Sequence, residues 1–365
     1  MRYSKYKYGR KRVPAVFYVT SALLILSVIL LIFSKISTAA ADFLNDNLCY
    51  YVRMLLAIPS SLVPFSLFEL LIILLPIIIT LVVILAVRRF RSREGRTRFL
   101  LGLSSLVFAI ATLYILTLSI AYNTTTLDRR LGLKDVEVNA ESLSSAMIKL
   151  RDEVNALSAD ITYGEDGASV PEYGFREMSE KICSSFGTVN EKYSLKGSFN
   201  SSAKPIYFGN VMSYFRLTGI YTFYTGEANV NSAYPYYDKA FTAAHELSHQ
   251  RGILRENEAN FMAYLVNSHS EDKYLRYSAA LSMYEYVASA LYRTDRERYY
   301  EIAGGLSERA RGDILASNAV TEKYGDTPLA DLSSFFNDLF LKTNGTDGVV
   351  TYGRVVTLAV SYLNQ

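Results

Sequence analysis

The sequence predicts a multi-pass membrane protein, with three N-terminal transmembrane helices followed by a mostly α-helical α+β domain outside the cytoplasm. Three observations carry this expectation. Apolar residues are concentrated before residue 123 in three runs nearly free of charge. Two dense basic clusters flank those runs. From Asn123 onward the composition becomes that of a water-soluble domain. Of the 365 residues, 50% are hydrophobic and 20% charged, below the roughly 25% charged of soluble domains. This excludes a purely soluble enzyme. It also excludes disorder, which needs low hydrophobicity and high net charge.

Residues 1–12 form a basic tail holding six of the 38 Lys and Arg: Arg2, Lys5, Lys7, Arg10, Lys11 and Arg12. A three-span anchor is expected over 13–122. A bilayer core about 30 Å thick needs roughly 20 apolar residues in a helix. The spans run from about Val13 to Phe33, Phe65 to Val87 and Phe99 to Tyr122. Pro76 lies inside the second, where neighbouring helices tolerate it. Glu69 lies near its start and is either an acid at the membrane boundary or a functional intramembrane group. Six further arginines fall between Arg88 and Arg98, while the loop from Ser34 to Pro64 holds only Lys35 and Arg53. Cytoplasmic loops carry the basic excess, so the N-terminus is inside and everything after Tyr122 is outside, in a multi-pass protein of the cell membrane. The clusters therefore set orientation against lipid, and no nucleic-acid partner is expected. Thr38-Ala39-Ala40-Ala41-Asp42 resembles a signal-peptide cleavage site, but the preceding apolar run is longer than the usual 7–15 residues. A retained anchor is favoured. Two cysteines, Cys49 and Cys183, are too few for a disulfide scaffold.

The extracytoplasmic domain spans 123–365. Leu143, Met147, Leu150, Val154 and Leu157 have helical spacing within Glu137–Asp160. Gly164–Pro171 reads as a loop and Glu172–Phe186 as a second helix. Lys196–Tyr237, rich in Tyr, Phe, Thr and punctuating Gly, fits short strands and turns. After Asp238 helices are expected, with breaks near Gly252, Gly304-Gly305, Gly325–Pro328 and Gly345–Gly348.

The chemistry is concentrated in Ala243-Ala244-His245-Glu246-Leu247-Ser248-His249-Gln250-Arg251-Gly252 and the following Arg255-Glu256-Asn257-Glu258-Ala259-Asn260. On a helix, His245 and His249 share a face and can aim two imidazoles at one ion. Glu246, one residue round from the first, can take a proton from a water on that ion. Zinc lowers the pKa of such a water from about 15.7 to about 7. Two of the three histidines of the chain lie in this pattern; His269, in a polar stretch, reads as a surface residue. A catalytic zinc site needs a third protein ligand. Gly252 can end the helix at positive φ and turn the chain back. A second helix beginning around Leu254 then brings Glu256 and Glu258, which point about 160° apart at 100° per residue. Either could be the ligand, and Glu256 is favoured because Asn260, on its face, is placed to support the site.

His-Glu-x-x-His followed by Glu-x-x-Ala-Asn resembles the gluzincin metallopeptidases, in a shorter spacing than that family's. The resemblance implies a zincin-like domain, Glu256 as third ligand and Asn260 as a supporting residue. The His-x-x-Gly continuation is similar to the metzincins, whose third histidine would fall at Arg255. Over nearly the full length the chain resembles an uncharacterised bacterial family of membrane proteins catalogued as a domain of unknown function. The His-Glu-Leu-x-His-Gln-x-Gly…Glu-x-Glu-Ala-Asn-Phe block carries that resemblance, as do Thr218-Gly219-Ile220-Tyr221 and Thr225-Gly226-Glu227-Ala228-Asn229-Val230-Asn231. It implies a zinc peptidase.

Tyr221–Asn231 is a candidate for the extended strand on which a substrate backbone could be added, with Gly226, Glu227 and Asn229 as candidate substrate-binding residues. The expectation is a membrane-anchored metallohydrolase holding Zn2+ through His245, His249 and Glu256, with Glu246 as general base on a peptide or protein substrate. The alternatives are a membrane receptor with a structural or vestigial site, and a zinc amidase acting on cell-wall material.

Overall fold

Residues 13–325, 327–344 and 354–365 are described by the computed structural model. The basic tail at 1–12 and the break expected at Gly345–Gly348 lie outside the described residues.

Three helices are long and apolar enough to cross a membrane: Ala15–Ile36, Leu67–Phe90 and Arg93–Asn123. The first is α1. The stretch between the first two spans, expected as a loop, is helical: α2 (Thr38–Leu44), a π-helical stretch Asn45–Cys49, and α3 (Tyr50–Ser61). Ser37 starts it by accepting from Ala40 N–H at 3.3 Å. These segments are too short to register as spans, which is why they were missed. The second span is α4 (Leu67–Phe90), capped by Ser66. The third, α5 (Arg93–Tyr114), continues through a π-helical stretch Ile115–Ser119 and a 3-10 turn Ala121–Asn123. Where α1 and α5 pack together, the buried residues are small and polar: Thr20, Ser27 and Ser34 on one, Ser105 and Thr112 on the other. Their hydroxyls are satisfied within the helix, as Ser27 Oγ is by Leu24 O at 2.8 Å. Leu23, Ile25, Leu26, Leu106 and Val107 face outward. This inside-out pattern is that of helices in lipid, where apolar faces gain nothing by meeting and small residues let backbones approach.

After α6 (Leu127–Leu131), α7 (Ala140–Ser158) starts from an Asn139–Ser142 capping box and buries Leu143, Met147, Leu150 and Val154, as their spacing predicts. The loop expected at Gly164–Pro171 includes part of a short hairpin, β1 (Thr162–Tyr163) with β2 (Ser169–Val170). Then come α8 (Phe175–Lys192), β3 (Ala203–Ile206), the short α9 (Gly209–Tyr214), β4 (Gly219–Thr222) and β5 (Glu227–Asn231). The three-stranded sheet has the order β3-β5-β4, with β3 parallel and β4 antiparallel to β5, so β4 is an edge strand. The rest is helical: α10 (Tyr236–Gln250), α11 (Glu256–Ser268), α12 (Lys273–Thr294), α13 (Arg296–Ala303), α14 (Glu308–Tyr324), α15 (Pro328–Thr343) and α16 (Val355–Leu363). Leu247, Phe261, Leu265, Leu275 and Leu281 of α10–α12 join the α7 residues in one fully buried core.

The chain does not divide cleanly at residue 123. Arg53 of α3 is 1% exposed. Its guanidinium donates to Asn45 O at 3.1 Å, Asn45 Oδ1 at 2.9 Å and Thr117 O at 3.4 Å, and it lies against Gly252 of the domain. Glu69, in the first turn of α4, accepts the backbone N–H of Tyr207 at 3.3 Å and of Phe208 at 2.7 Å. It joins a span to the domain.

Candidate metal centre

α10 carries both histidines of the motif on one face. Its last turn ends at Arg251, and Gly252 follows at φ +93°, a conformation that favours glycine. The reversal brings α11 back beside α10. α11 begins at Glu256 rather than near Leu254, which places Glu256 in its first turn facing the histidines. Nε2 of His245 lies 3.3 Å from one Glu256 carboxylate oxygen, and Nε2 of His249 lies 3.7 Å from the other. The three ligand atoms fall within 4.8 Å of one another. The imidazoles meet edge to face, 4.6 Å apart at 84°. His249 Nδ1 lies 2.9 Å from Ile253 O, so its N–H can point there and leave Nε2 as the free donor atom. His245 Nδ1 is buried without a hydrogen-bond partner. Asn260 lies against that ring closely enough to favour its charged form.

Glu246 faces the same cavity. Burial, with the charge of Glu256 beside it, pushes its carboxyl up to about 8, opposed by His245 and the Tyr221 backbone N–H. Burial pulls His249 down to about 4, against the pull of Glu256. Burial also works against a charged His245, but contact with Glu256 outweighs it and raises that imidazole. Two carboxylates and two imidazoles thus share one end of a cavity, and a divalent cation fits the donor set of His245, His249 and Glu256.

The cavity, about 920 Å³, runs along α10 from His249 to Asp238 and is walled by β4, α12, α15 and the domain-side end of the third span. Gly219 lets β4 close on α10, since a Cβ there would lie 2.5 Å from the Glu246 carboxylate and 2.6 Å from Thr242. At the far end sit Asp238, Ser282 and Glu285. Asp238 Oδ2 and Ser282 Oγ are buried without partners, and Glu285 accepts from Tyr237 OH at 3.1 Å. Burial pushes Asp238 up to about 7 and Glu285 up to about 8. Sequence reasoning missed these acids. Asp238 was within reach, being seven residues before His245 and so on the same helix face.

Other expected site residues lie elsewhere. Glu258 points away from the histidines, pairing with Arg255 at 3.0 Å and accepting Leu127 N–H at 3.1 Å. Gly226, Glu227 and Asn229 do not line the cavity. Glu227 is 1% exposed and pairs with buried Lys204 at 2.5 Å. Its carboxylate accepts the N–H groups of Leu67 and Phe68 at 2.9 and 3.0 Å, capping the head of α4 where a helix favours an anion. Asn229 Oδ1 accepts from Ser66 Oγ at 2.6 Å. Gly226, at φ +71°, sits under Leu56 of α3, whose Cβ would lie 2.6 Å from an added Cβ. This segment is the socket for the anchor. Its span-capping role joins residues about 160 positions apart, and no local pattern announces it. His269 meets Lys192 at 2.8 Å and is half-buried. Cys49 and Cys183 are both free.

Fold and site together define a membrane-anchored, mostly helical protein with a His-His-Glu cluster opening on a cavity. The model of the family described as "Protein of unknown function (DUF3810)" matches residues 45–360, and the chain belongs to that family. No curated protein and no solved structure matches it.

Proposed function

We propose that this protein is a membrane-anchored zinc metallohydrolase, a peptidase of zincin-like design, whose catalytic domain lies outside the cytoplasm. One observation carries the reading: His245, His249 and Glu256 converge within 4.8 Å, with Glu246 on the same helix facing the cavity. A purely structural site would have no need of that fourth group. When bound, zinc supplies Lewis acidity and lowers the pKa of water it coordinates. Glu246 takes the proton of the attacking water and returns it to the leaving amine. Gly219, Ile220 and Tyr221 of edge strand β4 line the cavity and can hold an extended substrate backbone by strand addition. Tyr286, also in the wall, is our candidate donor to a developing oxyanion. The sidedness rests on the arginine-rich turn between α4 and α5.

The test uses the full-length chain in detergent. Metal analysis should give about one zinc per chain, lowered by His245→Ala or Glu256→Ala. Glu246→Gln should retain the metal and lose turnover of a peptide library by about 10²–10⁴-fold. Folded protein that takes up no zinc refutes the reading. Protease access to the domain in intact cells checks the orientation.

A further inference from the structure

α15 is an amphipathic helix mounted inside out. Its inward side carries Ala330, Ser333 and Asn337, and Ser333 and Asn337 line the cavity together with Phe340. Its outward side carries Leu329, Leu332, Phe335, Phe336 and Leu339, each 43–63% exposed. At 100° per residue these five fall within an arc of about 120° that holds no charged side chain. A surface helix in water turns such a stripe toward the core. The spans α1 and α5 show the same inversion, small polar residues inward and large apolar residues outward.

Both ends of α15 lead back to the spans. At its C-terminal end the Phe340 ring packs edge-on against Tyr114 and Tyr122, with centroids 6.2 Å away in each case. Asn344 donates to the Tyr114 hydroxyl at 3.0 Å, and Tyr114 is the last residue of α5. Before its N-terminal end, Thr327 donates to Tyr214 O of α9 at 2.7 Å, and Tyr324 meets Tyr214 edge to face at 5.0 Å. The segment leading into α9 is tied through the N–H groups of Tyr207 and Phe208 to Glu69, in the first turn of α4. This side exposes Tyr207 (72%), Phe208 (58%), Val211 (56%) and Tyr214 (46%). An apolar, aromatic-rich belt thus runs from the head of one span to the end of another.

We propose that α15 and the Tyr207–Tyr214 corner lie in the headgroup–acyl boundary of the bilayer on the domain side, with the outward stripe of α15 in lipid. Aromatic residues favour this depth, and a helix with one apolar face settles there lying flat. The occupant of the stripe is lipid rather than a protein surface, because the belt is continuous at both ends with helices that lipid already surrounds. The bilayer then fixes the roof of the cavity. Whatever enters the candidate metal centre arrives along the membrane surface, a consequence that rests on the reading above, whereas the lipid contact does not.

The chain contains no tryptophan, so a single introduced one is an unambiguous reporter. Phe336→Trp, Ser333→Trp on the inward side and Leu81→Trp in the second span would each be placed in the full-length protein. Each would be reconstituted in phosphatidylcholine vesicles with or without acyl chains brominated at positions 6 and 7. Leu81→Trp sets the scale of quenching. Phe336→Trp should emit blue-shifted light and lose at least half as much intensity to bromine as Leu81→Trp, while Ser333→Trp should lose little. Phe335→Trp repeats the reading should Phe336→Trp fail to fold. A water-like, unquenched emission overturns the proposal. So does a blue-shifted but unquenched one, which would mean that a second copy or another protein covers the stripe. Neither result depends on zinc or turnover, so the hydrolase reading and the lipid contact can fail separately.

Discussion

The guanidinium of Arg53 rests against the α-carbon of Gly252: a Cβ added there would lie 2.4 Å from Nη2 of the arginine. A residue between the first two spans thus supports the turn that carries Glu256 back to the histidines. Gly252→Ala would meet this contact and the positive φ of +93° together. The expected loss is about 3 kcal/mol, with the melting midpoint in detergent falling by about 6–10 °C. Zinc content should fall with it. A variant melting like the wild type would show that the turn yields without strain.

Glu256 and Glu258 should separate cleanly. Glu256→Ala removes a donor of the cluster and should lower zinc affinity about 10-fold or more while leaving the fold intact. Glu258→Gln leaves the donors in place but removes the charge paired with Arg255, whose guanidinium keeps only Tyr122 O and Thr124 O, and weakens the cap on Leu127. It should keep zinc and lose about 3 kcal/mol of stability. Reversed results in metal titration and thermal melting would exchange their roles.

The Lys204–Glu227 pair should govern how anchor and domain hold together. Breaking it by Glu227→Gln leaves the buried ammonium and the head of α4 less well served, a loss of about 3–5 kcal/mol. Limited proteolysis between α3 and α4 should speed up while zinc content per folded chain is unchanged. Lys204→Met in the same chain should recover part of the loss, because no charge is then left buried alone.

Stability should decline as pH rises from about 4 to about 8. Asp238 and Glu285 ordinarily titrate near 3.8 and 4.5, and burial raises them to about 7 and 8. The folded state therefore holds protons that the unfolded chain releases. This contribution is complete below about pH 4 and fades as pH rises through 7 to 8. Melting midpoints from pH 5 to 9 should fall, and the Asp238→Asn/Glu285→Gln variant should show a shallower slope. An unchanged slope would mean that these acids are ionised in the fold.

How much of this was legible depended on the distance over which each feature acts. Periodicity and charge-free length exposed the spans and α7, because those signals reside in consecutive residues. The i, i+4 spacing of His245 with His249, and of Glu256 with Asn260, set the site's geometry. α11 starts slightly later than expected, at Glu256. The role of Glu227 was not legible. An acid in a strand is usually a solvated residue, and only the fold brings it to Leu67 and Phe68. Gly219 read as turn punctuation, whereas its missing side chain makes room for Glu246. Arg53 read as one stray charge in a topology count, though it is buried beneath the turn between α10 and α11.

The cap on α4 has a bearing on how the chain is made. The first N–H groups of that span find their carboxylate about 160 residues later in the polypeptide, long after the helix has left the ribosome. Until Glu227 is translated and its strand closes, the head of α4 has water or headgroups in its place. Completion of the C-terminal half is therefore what locks the inserted helices. A truncated product would leave them unlatched, a difference that cellular quality control could act on.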